Sequence, residues 1–262
     1  MPRRVTGAVA LFTALSLALA PVQSFAQTLD ESDMKVRGKL EQVSTHMGSM
    51  SVELGAGVPE INDRLIFEPY QMNDELQTRT DLVFLMRHGP TDWSNLDEKN
   101  VSPTDCANQR VLSPEGRKSM ETLGLLLGSN LLLPSKILVS EWCRNQQTLE
   151  SMNVGFDQVA TDLSKAFVVE TEPELNLLLS LQGADDVVEL RRIITEWDGT
   201  PPEGSPYKGR LLIITHFTNI EELTNFQVFE GEILVVDPKR DNRVIGYLRL
   251  ASASADVGHF KQ

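Results

Sequence analysis

The sequence predicts an α/β fold: a three-layer α/β/α sandwich built on a mainly parallel central sheet. Three observations predict it. Leu82–Met86, Ile137–Val139 and Leu211–Thr215 are continuous apolar runs, the mark of strands covered on both faces. Strand-like and helix-like segments alternate from residue 82 to about 225, as parallel strands with helical crossovers require. The chain has 262 residues, 41% apolar and 23% charged, which is ordinary globular usage with enough length for a sizeable core. That composition excludes a disordered chain and a coiled coil. With 24 Lys+Arg against 37 Asp+Glu the formal charge is −13, which repels phosphate backbones. Nucleic acid is therefore not an expected partner.

Residues 1–26 read as an address rather than as structure. Arg3 and Arg4 precede a nearly apolar run from Val5 to Ala20, and Ser24-Phe25-Ala26 supplies the small residues of a cleavage site. The run falls short of the roughly 20 residues a helix needs to cross a bilayer, so a cleaved leader is expected rather than an anchor. The mature protein is then expected in the periplasm or outside the cell, with no stable membrane insertion; nothing in the sequence names a protein partner. Cys106 and Cys143 both lie in the exported part, where a disulfide forms and persists. One Cys106–Cys143 bridge is the expectation, two buried thiols the alternative.

Residues 27–78 form an N-terminal extension expected to pack on a main domain over 79–262. Met34, Val36, Leu40, Val43 and Met47 allow a helix over Glu31–His46, which Gly55-Ala-Gly-Val-Pro59 ends. Leu82–Met86 opens the main domain as a strand. Ser113 is placed to cap a helix whose first residue is Pro114, with Met120, Leu123 and Leu127 on one face. Ile137–Val139 and Phe167–Val169 are short strands, with helix over Arg144–Met152 between them. Val187, Leu190, Ile194 and Trp197 mark a helix starting near Ala184. Leu211–Thr215 is the strongest strand, and Ile220–Thr224 the helix after it. Glu232–Val236 and Val244–Leu250 read as a hairpin across Asp237-Pro-Lys-Arg-Asp-Asn242, expected as antiparallel strands at the sheet edge.

In such a sheet the ligand sits beyond the carboxyl ends of the strands. Arg87-His88-Gly89 follows the first apolar run, Ser140-Glu-Trp-Cys-Arg144 the second, and His216 the strongest strand. Histidine at two strand ends and arginine at two suit phosphoryl transfer. A neutral imidazole can attack phosphorus, while guanidinium groups hold the phosphoryl oxygens as planar donors of fixed charge. Gly89 would let backbone approach the ligand. No metal or other cofactor is required, and neither His46 nor His259 has metal-ligand spacing to a partner.

Leu82-Val-Phe-Leu-Met-Arg-His-Gly-Pro-Thr-Asp-Trp93 resembles the opening motif of the histidine phosphatase superfamily, the phosphoglycerate mutase-like fold. Leu112-Ser-Pro-Glu-Gly-Arg117, Val139-Ser-Glu-Trp-Cys-Arg-Asn-Gln-Gln-Thr148 and Thr215-His216 resemble its later segments, in the family's order, over about residues 80–250. The resemblance implies a phosphorylated nucleophile at His88 and a phosphate pocket completed by Arg87, Arg144 and His216. Thr91, Ser94 and Arg110 join Gly89 as expected substrate contacts. Asp105-Cys106, Gln109-Arg110 and Gly231-Glu232 look like an exported bacterial subgroup.

The departures are specific. Glu141 replaces a usual proline. Ser94 stands where many mutase-like members carry an Asn that touches phosphate. Phe217 stands where the acid-phosphatase branch places its Asp. The general acid is thus Glu232, Glu174 or absent, with Glu232 ranked first because its strand begins near the rim. The expected activity is hydrolysis of a small phosphorylated substrate through a phospho-histidine. A silent phosphate-ester binding module and a phosphomutase are the alternatives.

Overall fold

The computed structural model describes residues 36–54, 61–178, 180, 182–206 and 208–254. The leader over 1–26, the first residues of the helix expected over Glu31–His46, the break at 55–59 and His259 lie outside them. The strands are β1 (Val36–Gln42), β2 (Gly48–Leu54), β3 (Leu65–Glu68), β4 (Val83–Arg87), β5 (Pro134–Val139), β6 (Val168–Thr171), β7 (Arg210–Thr215), β8 (Ile233–Asp237) and β9 (Arg243–Leu250). The helices are α1 (Asn73–Thr78), α2 (Pro114–Ser129), α3 (Cys143–Val159), α4 (Val188–Glu196) and α5 (Phe217–Thr224).

All these strands join one sheet, in the order β1-β2-β3-β9-β8-β4-β7-β5-β6. β4, β7, β5 and β6 run parallel, and the pairs from β4 outward to β1 are antiparallel. Every residue of β4, β7 and β8 is buried, because helices cover both faces. Phe84, Met86, Leu212 and Ile214 pack on one face against Leu123 and Leu127 of α2 and Met152 and Phe156 of α3. Val83, Leu85, Leu211 and Ile213 pack on the other against Leu190 and Ile194 of α4 and Ile220 of α5. The α/β/α layering is as the alternation of segments predicts.

The local signals around the rim also hold. Ser113 Oγ accepts the Gly116 N–H at 2.9 Å, and Pro114 takes the first helical position of α2. α2 and α3 touch backbone to backbone at two glycines. A Cβ on Gly155 would lie 1.9 Å from the Glu121 carbonyl oxygen, and one on Gly124 would lie 2.1 Å from that of Met152. This close contact fixes α3, whose first turn carries Arg144.

Three expectations change. Residues 36–54 form the hairpin β1–β2 instead of the described part of a helix over Glu31–His46. The spacing of Val36, Leu40 and Val43 suggested helix, but Leu40 and Val43 face solvent, and the buried apolar side chains are Val36 and Met50 on paired strands. The C-terminal hairpin β8–β9 lies inside the sheet, not at its edge. β3 pairs with β9 and carries β2 and β1 beyond it, so the N-terminal segment supplies that edge. The helix expected from Ala184 starts at Val188, whose N–H is held by Asp186 Oδ1 at 2.8 Å.

At the amino ends of β4 and β7, Arg79 forms a saturated ion cluster. Its five N–H groups reach Asp81 (3.0 and 2.8 Å), Asp237 (2.6 and 2.7 Å) and Glu75 (2.9 Å). Asp237 is fully buried there. Among the described residues no helix is long and apolar enough to cross a membrane.

Candidate active site

The carboxyl ends of β4, β5 and β7 bring the expected residues to one rim. Arg87 is the last residue of β4 and pairs with Thr215, the last of β7. His88 and His216 therefore leave adjacent strands together, with ring centroids 5.6 Å apart. β5 flanks β7 on its other side, Val139 opposite Ile214. The chain then turns through Ser140 into α3, which presents Arg144 beside both histidines. Arg87, His88, Arg144 and His216 are each no more than 2% exposed.

His88 Nδ1 lies 2.9 Å from the Gly89 carbonyl oxygen, which can only accept. The ring proton is thus on Nδ1, and Nε2 keeps its lone pair. Burial, then Arg144, Arg87 and His216, hold the His88 pKa well below the ordinary imidazole value. The ring is neutral at neutral pH, as a nucleophile must be. Burial and the cations Arg144, Arg87 and Arg110 do the same to His216. His216 Nε2 lies 2.8 Å from Asn145 Nδ2 and 3.1 Å from Ser140 Oγ. An Asn145 amide that donates to Nε2 is the arrangement that puts the His216 proton on Nδ1. Among the described residues that Nδ1 has no hydrogen-bond partner.

Arg144 is half engaged. One terminal nitrogen, Nη1, donates to Asp97 Oδ1 at 3.0 Å and lies 3.4 Å from the Arg110 carbonyl oxygen. Its buried Nε has no partner among the described residues. The guanidinium sits 4.6 Å from the Trp142 ring centroid. Burial, only partly offset by Asp97, lowers its pKa to about 10, so it remains charged at neutral pH. Arg87 donates to the Val228 carbonyl at 2.9 Å and lies 3.5 Å from Glu230 Oε1, with the Phe217 ring 5.2 Å away. A buried donor left unmade costs about 1–3 kcal/mol. The unpaired Nε of Arg144 and Nδ1 of His216 therefore favour an arriving acceptor.

The remaining expected residues take varied places. Gly89 gives its N–H to Thr148 Oγ1 at 2.9 Å, and Met120 fills the space a Cβ would need. Glycine there permits close packing against Met120. Thr91 is buried and donates to Glu230 Oε1 at 2.7 Å. Ser94 is exposed and bonds Asp92 within its own turn. Arg110 stacks on Trp93 with its guanidinium carbon 3.5 Å from the ring centroid. Glu232 is buried, and burial raises its pKa. Its Oε2 accepts the Phe229 N–H at 2.8 Å. Glu174 is exposed on the turn Pro173–Leu175.

Cys106 and Cys143 form the expected disulfide, with Cα atoms 5.5 Å apart. It ties the loop carrying Asp97 and Arg110 to the first residue of α3. Gln109 reinforces that tie: its Nε2 donates to the Ser102 and Pro103 carbonyls, and its Oε1 accepts the Cys143 N–H at 3.2 Å.

Several supporting residues escaped the sequence reading. Asp97 orients Arg144. Asn176 accepts from Ser140 Oγ at 2.8 Å and from the Glu141 N–H at 3.0 Å, and donates to the Glu141 carboxylate at 2.8 Å. A proline at position 141 could not make that N–H contact. Glu230 went unnoticed beside Glu232, although only one residue separates them. Among the described residues no three His, Cys, Asp or Glu side chains group as metal ligands.

No protein-family model matches the chain, and no curated protein matches it. Among solved structures it is similar to the protein histidine phosphatase SixA complexed with tungstate, at 20% identity over 66% of this chain and 96% of that one, with a TM-score of 0.42. It is also similar to the alpha-ribazole phosphatase from Shigella flexneri (18% identity, 62% of this chain and 95% of that one, TM-score 0.38). A third is mycobacterial glucosyl-3-phosphoglycerate phosphatase (14% identity, 67% and 99%, TM-score 0.38).

Proposed function

We propose that the chain is a metal-independent phosphomonoester hydrolase of the histidine phosphatase superfamily that works through a phospho-histidine on His88. The substrate is a small phosphorylated molecule. The observation that carries this reading is the convergence of two guanidinium groups and two neutral imidazoles in one buried cluster, with Arg144 Nε and His216 Nδ1 unpartnered among the described residues.

His88 Nε2 attacks phosphorus, and the bond to the departing ester oxygen breaks. Arg87, Arg144 and the His216 Nδ1–H hold the phosphoryl oxygens as charge spreads over them. Water then attacks the phospho-histidine, releasing phosphate and returning the electron pair to Nε2. The Gly89 carbonyl holds the imidazole in one tautomer through both steps. The guanidinium groups supply the fixed positive charge that a metal ion provides elsewhere. The acidic surface does not oppose an anionic substrate here, because distant charges are screened beyond about 8–10 Å at physiological salt.

The proposal includes export to the periplasm or beyond. It is supported by the leader-like pattern of residues 1–26 and by a disulfide that suits an oxidising compartment.

The test is turnover of a panel of phosphate esters, p-nitrophenyl phosphate among them, by the wild type and His88→Ala. Wild-type turnover with a loss of about 10⁴-fold or more in the variant is expected. Tungstate binding without turnover by the wild type would instead identify a binding module.

A further inference from the structure

The departing ester oxygen needs a proton, and two carboxyls near the rim could supply it, Glu232 buried and Glu230 partly buried. Glu232 has one oxygen committed to the Phe229 N–H, and its other faces Arg249 Nε at 3.8 Å. Its side chain thus closes the turn before β8. Glu230 is placed differently. Its Oε1 accepts the Thr91 hydroxyl at 2.7 Å and lies 3.5 Å from a terminal nitrogen of Arg87. The Thr91 N–H lies 3.4 Å from its other oxygen. Its side chain is 9% exposed. The carboxyl is therefore fixed between the loop that follows the nucleophile and the guanidinium that would grip the phosphoryl group.

We infer that Glu230 is the general acid of the reaction, an assignment that rests on the hydrolase reading above. A carboxyl 3.5 Å from the guanidinium that would hold a phosphoryl oxygen stands beside the place the phosphate ester takes, where a proton donor to the departing oxygen is needed. Phosphate on Arg87 offsets that guanidinium's charge and places negative charge beside the carboxyl, which favours its protonated form. As Nε2 of His88 forms its bond to phosphorus, the ester P–O bond breaks and its electron pair goes to the departing oxygen. The Glu230 proton goes to that oxygen, leaving the alcohol and a carboxylate. In the second step this carboxylate takes a proton from water as the water oxygen attacks phosphorus. The N–P bond breaks, the imidazole is restored, and Glu230 is protonated again. The alcohol and phosphate are the only products.

The experiment compares Glu230→Gln with Glu232→Gln on p-nitrophenyl phosphate, whose leaving group needs little protonation, and on 2-phenylethyl phosphate, whose alkoxide needs it fully. Glu230→Gln should lower kcat/KM for the alkyl ester about 10²-fold more than for the aryl ester. Thr91→Val, which removes the hydroxyl that orients the carboxyl, should show the same discrimination at smaller size. Across substituted phenyl phosphates, Glu230→Gln should steepen the dependence of kcat/KM on leaving-group pKa. Equal loss on both esters, or discrimination by Glu232→Gln instead, would overturn the assignment. His88→Ala separates the two levels: if it still turns over both esters the hydrolase reading fails, and if it is inactive only the choice of acid is in question.

Discussion

The two ends of the parallel strands treat arginine in opposite ways. At the amino ends, Arg79 spends all five N–H groups on three carboxylates, and these partners raise its pKa above the ordinary value. At the carboxyl ends, Arg144 has Asp97 on one terminal nitrogen, no partner for its buried Nε among the described residues, and a pKa lowered to about 10. Arg79 is satisfied by the protein alone. Arg144 is not, and it stands beside two neutral buried histidines. Arg210 shows that burial and an unpartnered Nε by themselves do not make a site. Its pKa is also lowered to about 10, yet it meets the Leu76 and Leu131 carbonyls that end helical turns, with no imidazole described at its side. Incompletely paired charge next to neutral buried imidazoles distinguishes the carboxyl ends.

Substitutions can break this comparison. Arg144→Lys keeps the charge but loses the planar fork, and should cost up to about 10³-fold in kcat/KM. Its melting temperature should not fall, since the arginine it replaces is incompletely paired. Kinetics and a thermal melt on one preparation check both parts. Arg79→Met should do the reverse. It leaves Asp237 buried with only Arg240 and the Lys239 N–H for company, and should cost about 3 kcal/mol in denaturant unfolding with kcat/KM little changed.

Two weaker effects sharpen the picture. Reducing Cys106–Cys143 should lower stability by about 2 kcal/mol, at the low end of the usual range because Gln109 still ties the loop to α3. Activity should fall further than stability suggests, because that loop carries Asp97 and Arg110. A melt and an assay with and without reductant would show it; no change in either would remove the role given to the bridge. The ends should also separate along the pH axis. His88 and His216 have folded pKa values below the ordinary imidazole value near 6.5, so the unfolded chain binds more protons there. Stability is then complete above that value and is lost as pH falls through it, by about 1 kcal/mol for the pair between pH 7 and 6. Asp81 and Asp237 have lowered pKa values, so their contribution holds above the ordinary carboxylate range near 3.9 and fades only below it. Unfolding titrations of His88→Asn/His216→Asn should flatten the first change and leave the second.

The sequence made the parallel half of the molecule legible for a physical reason. β4 and β7 are covered on both faces, so their residues must be apolar throughout, and the polar residues that follow them stand out. The antiparallel half was less legible. Most of β1 faces solvent, so its composition carries no strand period, and helix spacing arose there by accident. At the site, residues directly after apolar runs could be found, whereas Asp97, Asn176 and Glu230 could not. They lie in loops that reach Arg144, Ser140 and Arg87 only after the chain closes, and nothing local distinguishes them from solvated polar residues. Gly89 illustrates a subtler gap: the residue type was noticed, but its packing against Met120 was not.

The central claim is that His88 carries the phosphoryl group during turnover. Rapid quench of the enzyme with a labelled phosphate ester, followed by peptide mapping, measures this directly. An acid-labile, base-stable phosphate on the peptide containing His88, absent from His88→Ala, is the predicted result. Turnover by the wild type with no label at His88, or with label on another residue, would contradict it.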